Sequence, residues 1–273
     1  MSASHNQGAL PTNREAGTGP EPACSRPTAP DASIFEPQIH LYVGLCDEVD
    51  TPAMRDACRA LVSDDERARI ARLASERQQR EFLLARGVLR LGLSRIAPAI
   101  DPSAWRFEVD QHGRPFVAAP SIARPLHFSL SHTDGCVACA ISGCETIGVD
   151  VEATDRLRSP LAVAEHAFSK AEIAELARLP AEEQADRFFD YWTLKEAYVK
   201  ARGIGLLLPL DQFSMLIRQD GSIGIAFAPG FADDALRWSF TKDSPSPHHR
   251  LAVADGSGLP GGSPIVRQPW PMP

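Results

Sequence analysis

The chain has 273 residues and a formal net charge of −7, with 44% hydrophobic residues. The length exceeds one small domain and predicts one large domain or two lobes. The acidic balance argues against a nucleic-acid partner, and no apolar run is long enough to span a bilayer. Met1 to Glu36 is rich in Pro, Gly, Ala, Ser and Thr and reads as a disordered extension. It lacks a basic start followed by an apolar core, so a secretory signal is not expected and a cytoplasmic location is. Residues 256–273 have the same Pro/Gly-rich character and carry the same expectation of a disordered tail.

Along the chain, Ile39 to Leu45 alternates as a first strand. Ser63-Asp64-Asp65-Glu66 forms a capping box that opens a helix. Arg77 to Ile96 is a longer helix with Phe82, Leu83, Val88, Leu89 and Leu93 on its apolar stripe. Eight arginines and no lysine lie between Arg67 and Arg95. They read first as a solvated face paired to Glu66, Glu76 and Glu81, and second as phosphate ligands or a surface for an acidic partner. Strands follow at Arg106–Asp110, His127–His132 and Gly135–Ser142, with a turn at Gln111–Pro115.

The pattern then restarts. The strand Ile147–Glu152 precedes a second capping box, Ser169-Lys170-Ala171-Glu172, at an offset of 106 residues from the first. Two related lobes are predicted, residues 37–145 and 146–255, with a ligand site between them. Among six cysteines, Cys136 and Cys139 resemble a CxxC pair, but they fall on opposite faces of a strand and no second pair follows. Buried reduced thiols are the expectation. His248 and His249 read as an exposed loop pair.

Two segments carry the chemistry. In Gly148-Val149-Asp150-Val151-Glu152, the two carboxylates point the same way along a strand, where like charges repel. A hard divalent cation answers that repulsion. In Trp192-Thr193-Leu194-Lys195-Glu196-Ala197-Tyr198-Val199-Lys200, Glu196 and Lys200 share one helix face, and Gly203 and Gly205 mark the stop. Asp150, Glu152 and Glu196 suit Mg²⁺, with Mn²⁺ as a substitute. Lys195, Lys200 and Arg114 supply charge for phosphates, which together suggests attack on a diphosphate.

With Ser131-His132 ahead of them, these segments resemble the signature of the Sfp-type 4′-phosphopantetheinyl transferases, in the holo-acyl-carrier-protein synthase superfamily. Gly113-Arg114-Pro115 and the stretch from Gly205 to Ser214 are also similar to that family. The resemblance covers roughly Ile39 to Ala254. It implies an α+β fold of two pseudo-twofold-related lobes, each a small antiparallel sheet packed with helices. It implies transfer of the phosphopantetheine arm of coenzyme A to a serine of an apo acyl, peptidyl or polyketide carrier, by a monomer. By the same resemblance Asp150, Glu152 and Glu196 are metal ligands, and Glu196 and Lys200 are catalytic. Arg69, Arg114, Ser131, His132 and Lys195 are coenzyme A contacts, with Lys195 on the diphosphate. The chain departs from the family at Arg114, where lysine is usual, at Ser129, where asparagine is common, and at Phe82, where some relatives have threonine. A non-catalytic module binding coenzyme A or carriers is the competing reading, and a generic Mg²⁺-dependent phosphohydrolase ranks behind both. The module should have lost a metal ligand or the helix lysine, and neither is lost here.

Overall fold

The computed structural model describes residues 38–156, 159–205 and 208–272; the extension expected over 1–36 lies outside them. The first half runs β1 (Ile39–Leu45), α1 (Cys46–Val49), α2 (Pro52–Leu61), α3 (Asp64–Ala71), α4 (Glu76–Ile96), β2 (Arg106–Val109), β3 (Pro115–Ala119), β4 (His127–Thr133) and β5 (Cys136–Ser142). The second runs β6 (Ile147–Ala153), α5 (Pro160–Ala167), α6 (Lys170–Leu176), α7 (Ala181–Arg202), β7 (Phe213–Ile217), β8 (Ile223–Phe227), β9 (Ser239–Asp243) and β10 (His249–Asp255). A last strand, β11 (Ile265–Gln268), follows.

The two halves repeat one plan: a strand, a run of helices (four in the first half, α1 being a single short turn, and three in the second), then four strands. The first strand, last strand and penultimate strand form an antiparallel sheet in the order β1-β5-β4, and its counterpart is β6-β10-β9. Each half adds a two-stranded ribbon, β2-β3 and β7-β8. This is the predicted α+β fold with its internal duplication. Each long helix covers one face of its own sheet. Leu84, Val88, Leu89 and Leu93 of α4 pack with Tyr42, Cys139 and Ile141, while Leu194, Ala197 and Ala201 of α7 pack with Ala252 and Ala254. The opposite sheet faces meet each other, burying Ala138, Ala140, Val149, Val151, Leu251 and Val253 in a shared core. Each fully buried large aliphatic side chain there contributes about 1.5–3 kcal/mol of transfer free energy. With both faces covered, β5 is buried along its whole length. Cys136 and Cys139 fall into different cores and are free thiols.

Both capping boxes form. The Ser63 and Ser169 hydroxyls accept from the Glu66 and Glu172 amides, and those carboxylates accept from the serine amides. Sequence patterning anticipates these helix starts because the donors at a helix N-terminus need local acceptors.

Two expectations are corrected. Residues 256–272 are ordered: β11 pairs parallel with β1, and the Trp270 ring lies where a Cβ on Gly44 would be, 2.5 Å away. The Pro/Gly composition masks a short Ile-Val-Arg-Gln strand, which finds the open edge of β1. His249 is not an exposed loop residue. It starts β10, is buried, and its imidazole bonds to the Ser246 hydroxyl at 2.7 Å and the Asp134 carbonyl at 2.7 Å. Only His248 is exposed.

Candidate active site at the seam between β4, β6 and α7

The seam is built by an unusual strand contact. β4 lies against β6, but hydroxyl groups stand in for carbonyls. The Val149 amide donates to Ser129 Oγ (3.0 Å), Val151 to Ser131 Oγ (3.2 Å) and Ala153 to Thr133 Oγ1 (3.2 Å). Alternation along a strand puts Ser129, Ser131 and Thr133 on one side, as this ladder requires.

Helix α7 reaches the seam because residue 148 is glycine. A Cβ there would sit 1.9 Å from the Ala197 carbonyl oxygen and 2.7 Å from the Ala201 nitrogen, so any side chain would push the helix away. At this close approach, Trp192, Glu196 and Lys200 form the one less-buried stripe in the middle of α7. Their spacing of four places them on one face.

Asp150 is the centre of the cluster and is 4% exposed. Its Oδ1 accepts from Lys200 Nζ (2.7 Å) and Ser131 Oγ (2.8 Å). Lys200 Nζ also reaches the Val149 carbonyl at 3.1 Å. The other oxygen, Asp150 Oδ2, is buried with no hydrogen-bond partner among the described residues. Thr133 Oγ1 donates to Glu152 Oε2 at 3.3 Å. Burial raises the proton affinity of Glu152, as does the Asp150 charge, against smaller opposing effects from Thr133, Lys200 and the Trp192 indole. Burial and the Asp150 charge raise Glu196 in the same way, opposed by Lys200. Glu152 and Glu196 therefore both feel the Asp150 charge.

This donor set fits a hard divalent cation. All the groups are oxygens, and the buried Asp150 Oδ2 lacks a partner, an arrangement that is costly without one. The predicted three-carboxylate cage is not preformed, however: among the described residues no group of three His, Cys, Asp or Glu side chains is placed to hold a metal ion by itself. Mg²⁺ commonly completes its shell with waters and substrate phosphates, so a partial protein set is compatible with it.

The remaining expected site residues divide. Beside Lys200 lies a cavity of about 220 Å³ lined by Arg114, Phe128, Leu130, Val199 and Gly203. Arg114 therefore stands at the site, with its guanidinium donating to the Glu145 and Ala201 carbonyls. His132 lies on the same side of β4 as Phe128 and Leu130, is exposed, and has Nδ1 3.8 Å from Glu81. Arg69 stands on the surface of α3 with its guanidinium 5.2 Å from the Phe82 ring centroid, and is not among the groups around Asp150. Ser131 is corrected: its hydroxyl is buried, donates to Asp150 and accepts from Val151, so it holds the carboxylate and not a phosphate. Lys195 is corrected too. It is fully buried on the far side of α7, ion-paired to Glu172 at 2.8 Å, and cannot meet a diphosphate. The arginines Arg77 and Arg80, candidates for receiving a carrier, pair with Asp134 and Asp50.

Sequence reasoning missed Thr133 and the ladder role of Ser129. The readable signal was the alternation of hydroxyl residues at 129, 131 and 133, opposite a strand with its own polar alternation.

Comparison with known proteins gives the family. A family model described as the 4′-phosphopantetheinyl transferase superfamily matches residues 146–254, the stretch that contains β6 and α7. The 4′-phosphopantetheinyl transferase HetI of Nostoc sp. is 31% identical over 228 residues, covering 84% of this chain and 92% of the relative. The chain belongs to the 4′-phosphopantetheinyl transferase family. The 4′-phosphopantetheinyl transferase Sfp of Bacillus subtilis is 33% identical over 166 residues, 61% of this chain and 71% of the relative. This transferase is thus an enzyme, and the binding-module reading falls away.

Proposed function

We propose that this transferase moves the 4′-phosphopantetheine group of coenzyme A onto a serine hydroxyl of an apo carrier protein, releasing adenosine 3′,5′-bisphosphate in a Mg²⁺-dependent reaction. The observation that carries the reading is the meeting of Lys200 and Asp150 across the seam, with Glu196 one turn earlier on the same helix face. In the reaction a serine oxygen–phosphorus bond forms and the diphosphate bond breaks. The serine proton needs a base, since a free hydroxyl is a weak nucleophile.

Each residue then has a task. Glu196, on the same helix face as Lys200, shares with it the task of receiving the serine proton. Lys200 holds positive charge beside the transferred phosphate, pre-aimed by the Asp150 carboxylate and the Val149 carbonyl. Asp150, Glu152 and Glu196 would hold the metal, which when bound would supply charge neutralisation for the leaving diphosphate. Arg114 lines the groove for the nucleotide end of coenzyme A, with Phe128 and Leu130 as apolar floor, and His132, exposed on the same side of β4, adds a contact.

Carriers of fatty-acid, polyketide or nonribosomal peptide synthesis are the partner class, and the protein acts as a cytoplasmic monomer. Among the described residues no helix is long and apolar enough to cross a membrane. The test is substitution at the cluster. Asp150→Ala or Glu196→Ala abolishes transfer while circular dichroism and melting show a folded protein. Full activity in either folded variant overturns the assignment.

A further inference from the structure

We propose that Lys195 is a positioning residue: its buried ammonium locks the roll of α7, so that the next residue, Glu196, and Lys200 one turn on face the carboxylates of β6. The inference rests on the proposed transfer reaction but makes a separate claim. Successive helix residues point about 100° apart. If Lys195 is fixed on one side of α7, the direction of Glu196 is fixed as well.

The fixing is complete in hydrogen-bond terms. An ammonium has three donors, and Lys195 Nζ has three close oxygen acceptors: Glu172 Oε2 at 2.8 Å, the Leu210 carbonyl at 2.7 Å and the Phe213 carbonyl at 2.6 Å. The Phe213 ring centroid lies 4.2 Å away. Glu172 is 1% exposed and is itself held, accepting from the Ser169 amide at 2.9 Å and the Met215 amide at 2.7 Å. One side chain thus ties α7 to α6, to the turn at Leu210–Gln212 and to the start of β7. Breaking a buried pair of this kind on one side leaves an uncompensated charge, so neither partner is free to move.

The first lobe contains the same device. Glu66 of the capping box in α3 pairs with Arg90 of α4 at 2.7 Å, and Arg90 donates to the Trp105 and Pro102 carbonyls at 2.7 and 3.3 Å. Those carbonyls flank the turn Pro102–Ala104 before β2, as Leu210 and Phe213 flank the turn before β7. In each lobe a capping-box glutamate, a cation on the long helix and two turn carbonyls form one lock. In the second lobe the residue after the locked cation is Glu196. Arg90 also shows that a guanidinium can fill such a lock.

The experiment compares wild-type protein, Lys195→Met/Glu172→Gln and Lys195→Arg. It measures melting temperature, kcat, the KM for coenzyme A, the Mg²⁺ concentration for half-maximal rate, and Mn²⁺ affinity by electron paramagnetic resonance without substrates. The double variant removes both charges, and the glutamine, with one oxygen where Glu172 has two, keeps an acceptor for one of the Ser169 and Met215 amides. We expect it to fold, with kcat lowered about 100-fold, the scale of a 1 Å misplacement at a reacting centre. We expect Mn²⁺ binding weakened several-fold and the KM for coenzyme A little changed. Lys195→Arg should recover most of the rate and the Mn²⁺ affinity. A folded double variant with wild-type kcat and Mn²⁺ affinity overturns the proposal, as does a rise in the KM for coenzyme A alone, which would mark a substrate contact. If the double variant does not fold, Lys195→Arg decides: a folded arginine variant as inactive as an Asp150→Ala control overturns it. Absence of transfer by wild-type protein would overturn the reaction instead, and the Mn²⁺ comparison would still judge Lys195.

Discussion

Gly148→Ala is the sharpest perturbation of this site, because it adds one methyl group far from any reacting atom. The new Cβ would lie 1.9 Å from the Ala197 oxygen, whereas ordinary contact begins near 3.4 Å, so α7 must retreat by about 1.5 Å. The atoms in the way are helix backbone and cannot rotate aside. Such overpacking costs about 1–3 kcal/mol. The Lys200–Asp150 bond, 2.7 Å long, would stretch to roughly 4 Å and be lost, a further ~1.5–3 kcal/mol for a charged hydrogen bond. We therefore predict a loss of about 2.5–6 kcal/mol in urea unfolding. The transfer rate of the folded variant should fall about 100-fold, since Glu196 and Lys200 leave β6 together. A Gly148→Ala protein within 0.5 kcal/mol of wild type and fully active would refute the close-approach account.

Ser131→Ala removes the donor to Asp150 and the acceptor of the Val151 amide. It should cost about 1–3 kcal/mol of stability and lower kcat while leaving the KM for coenzyme A near wild type; a large rise in KM with unchanged stability would restore the phosphate-contact reading. Burial pushes the Cys46, Cys58 and Cys136 thiols up to about 12, 11 and 12 from an ordinary 9.0, with nearby carboxylates adding to the rise at Cys46. Between pH 9 and 11 the unfolded chain has lost thiol protons that the folded chain keeps, so stability contributed by these groups falls as pH rises through that window. At pH 8 they should resist alkylation until denaturant is added, and fast labelling of native protein would count against their burial. Trp270→Ala should cost about 3 kcal/mol by analogy with other aromatic truncations; a change under 0.5 kcal/mol in thermal or urea unfolding would show that the C-terminal strand holds without its anchor.

Local rules made most of the elements legible. The two capping boxes, the helix stop at Gly203 and the strands through His127–Thr133 and Ile147–Ala153 follow from short-range donor–acceptor needs and from period-two or period-3.6 patterning. The duplication was legible because both lobes use the same cap at a constant offset. The site was legible in part. Asp150, Glu152, Glu196 and Lys200 lie on one strand face and one helix face, which periodicity fixes. Two things escaped that reading, since adjacent helix residues point in different directions and hydroxyls have several possible partners. Lys195, next to Glu196, turns away into a buried lock, and Ser131 turns to Asp150 and not to a phosphate. Composition misled at the C-terminus, where a four-residue strand sits inside a Pro/Gly-rich stretch and is stabilised by an edge that sequence alone does not reveal.

The most direct test of the central claim is the intact mass of an apo carrier protein after incubation with this transferase, coenzyme A and Mg²⁺, with an EDTA control. The account predicts a gain of one phosphopantetheine group on the carrier serine, lost with EDTA and lost in Asp150→Ala. No gain on acyl, peptidyl or polyketide carriers, with folded wild-type protein that still binds coenzyme A, would contradict it.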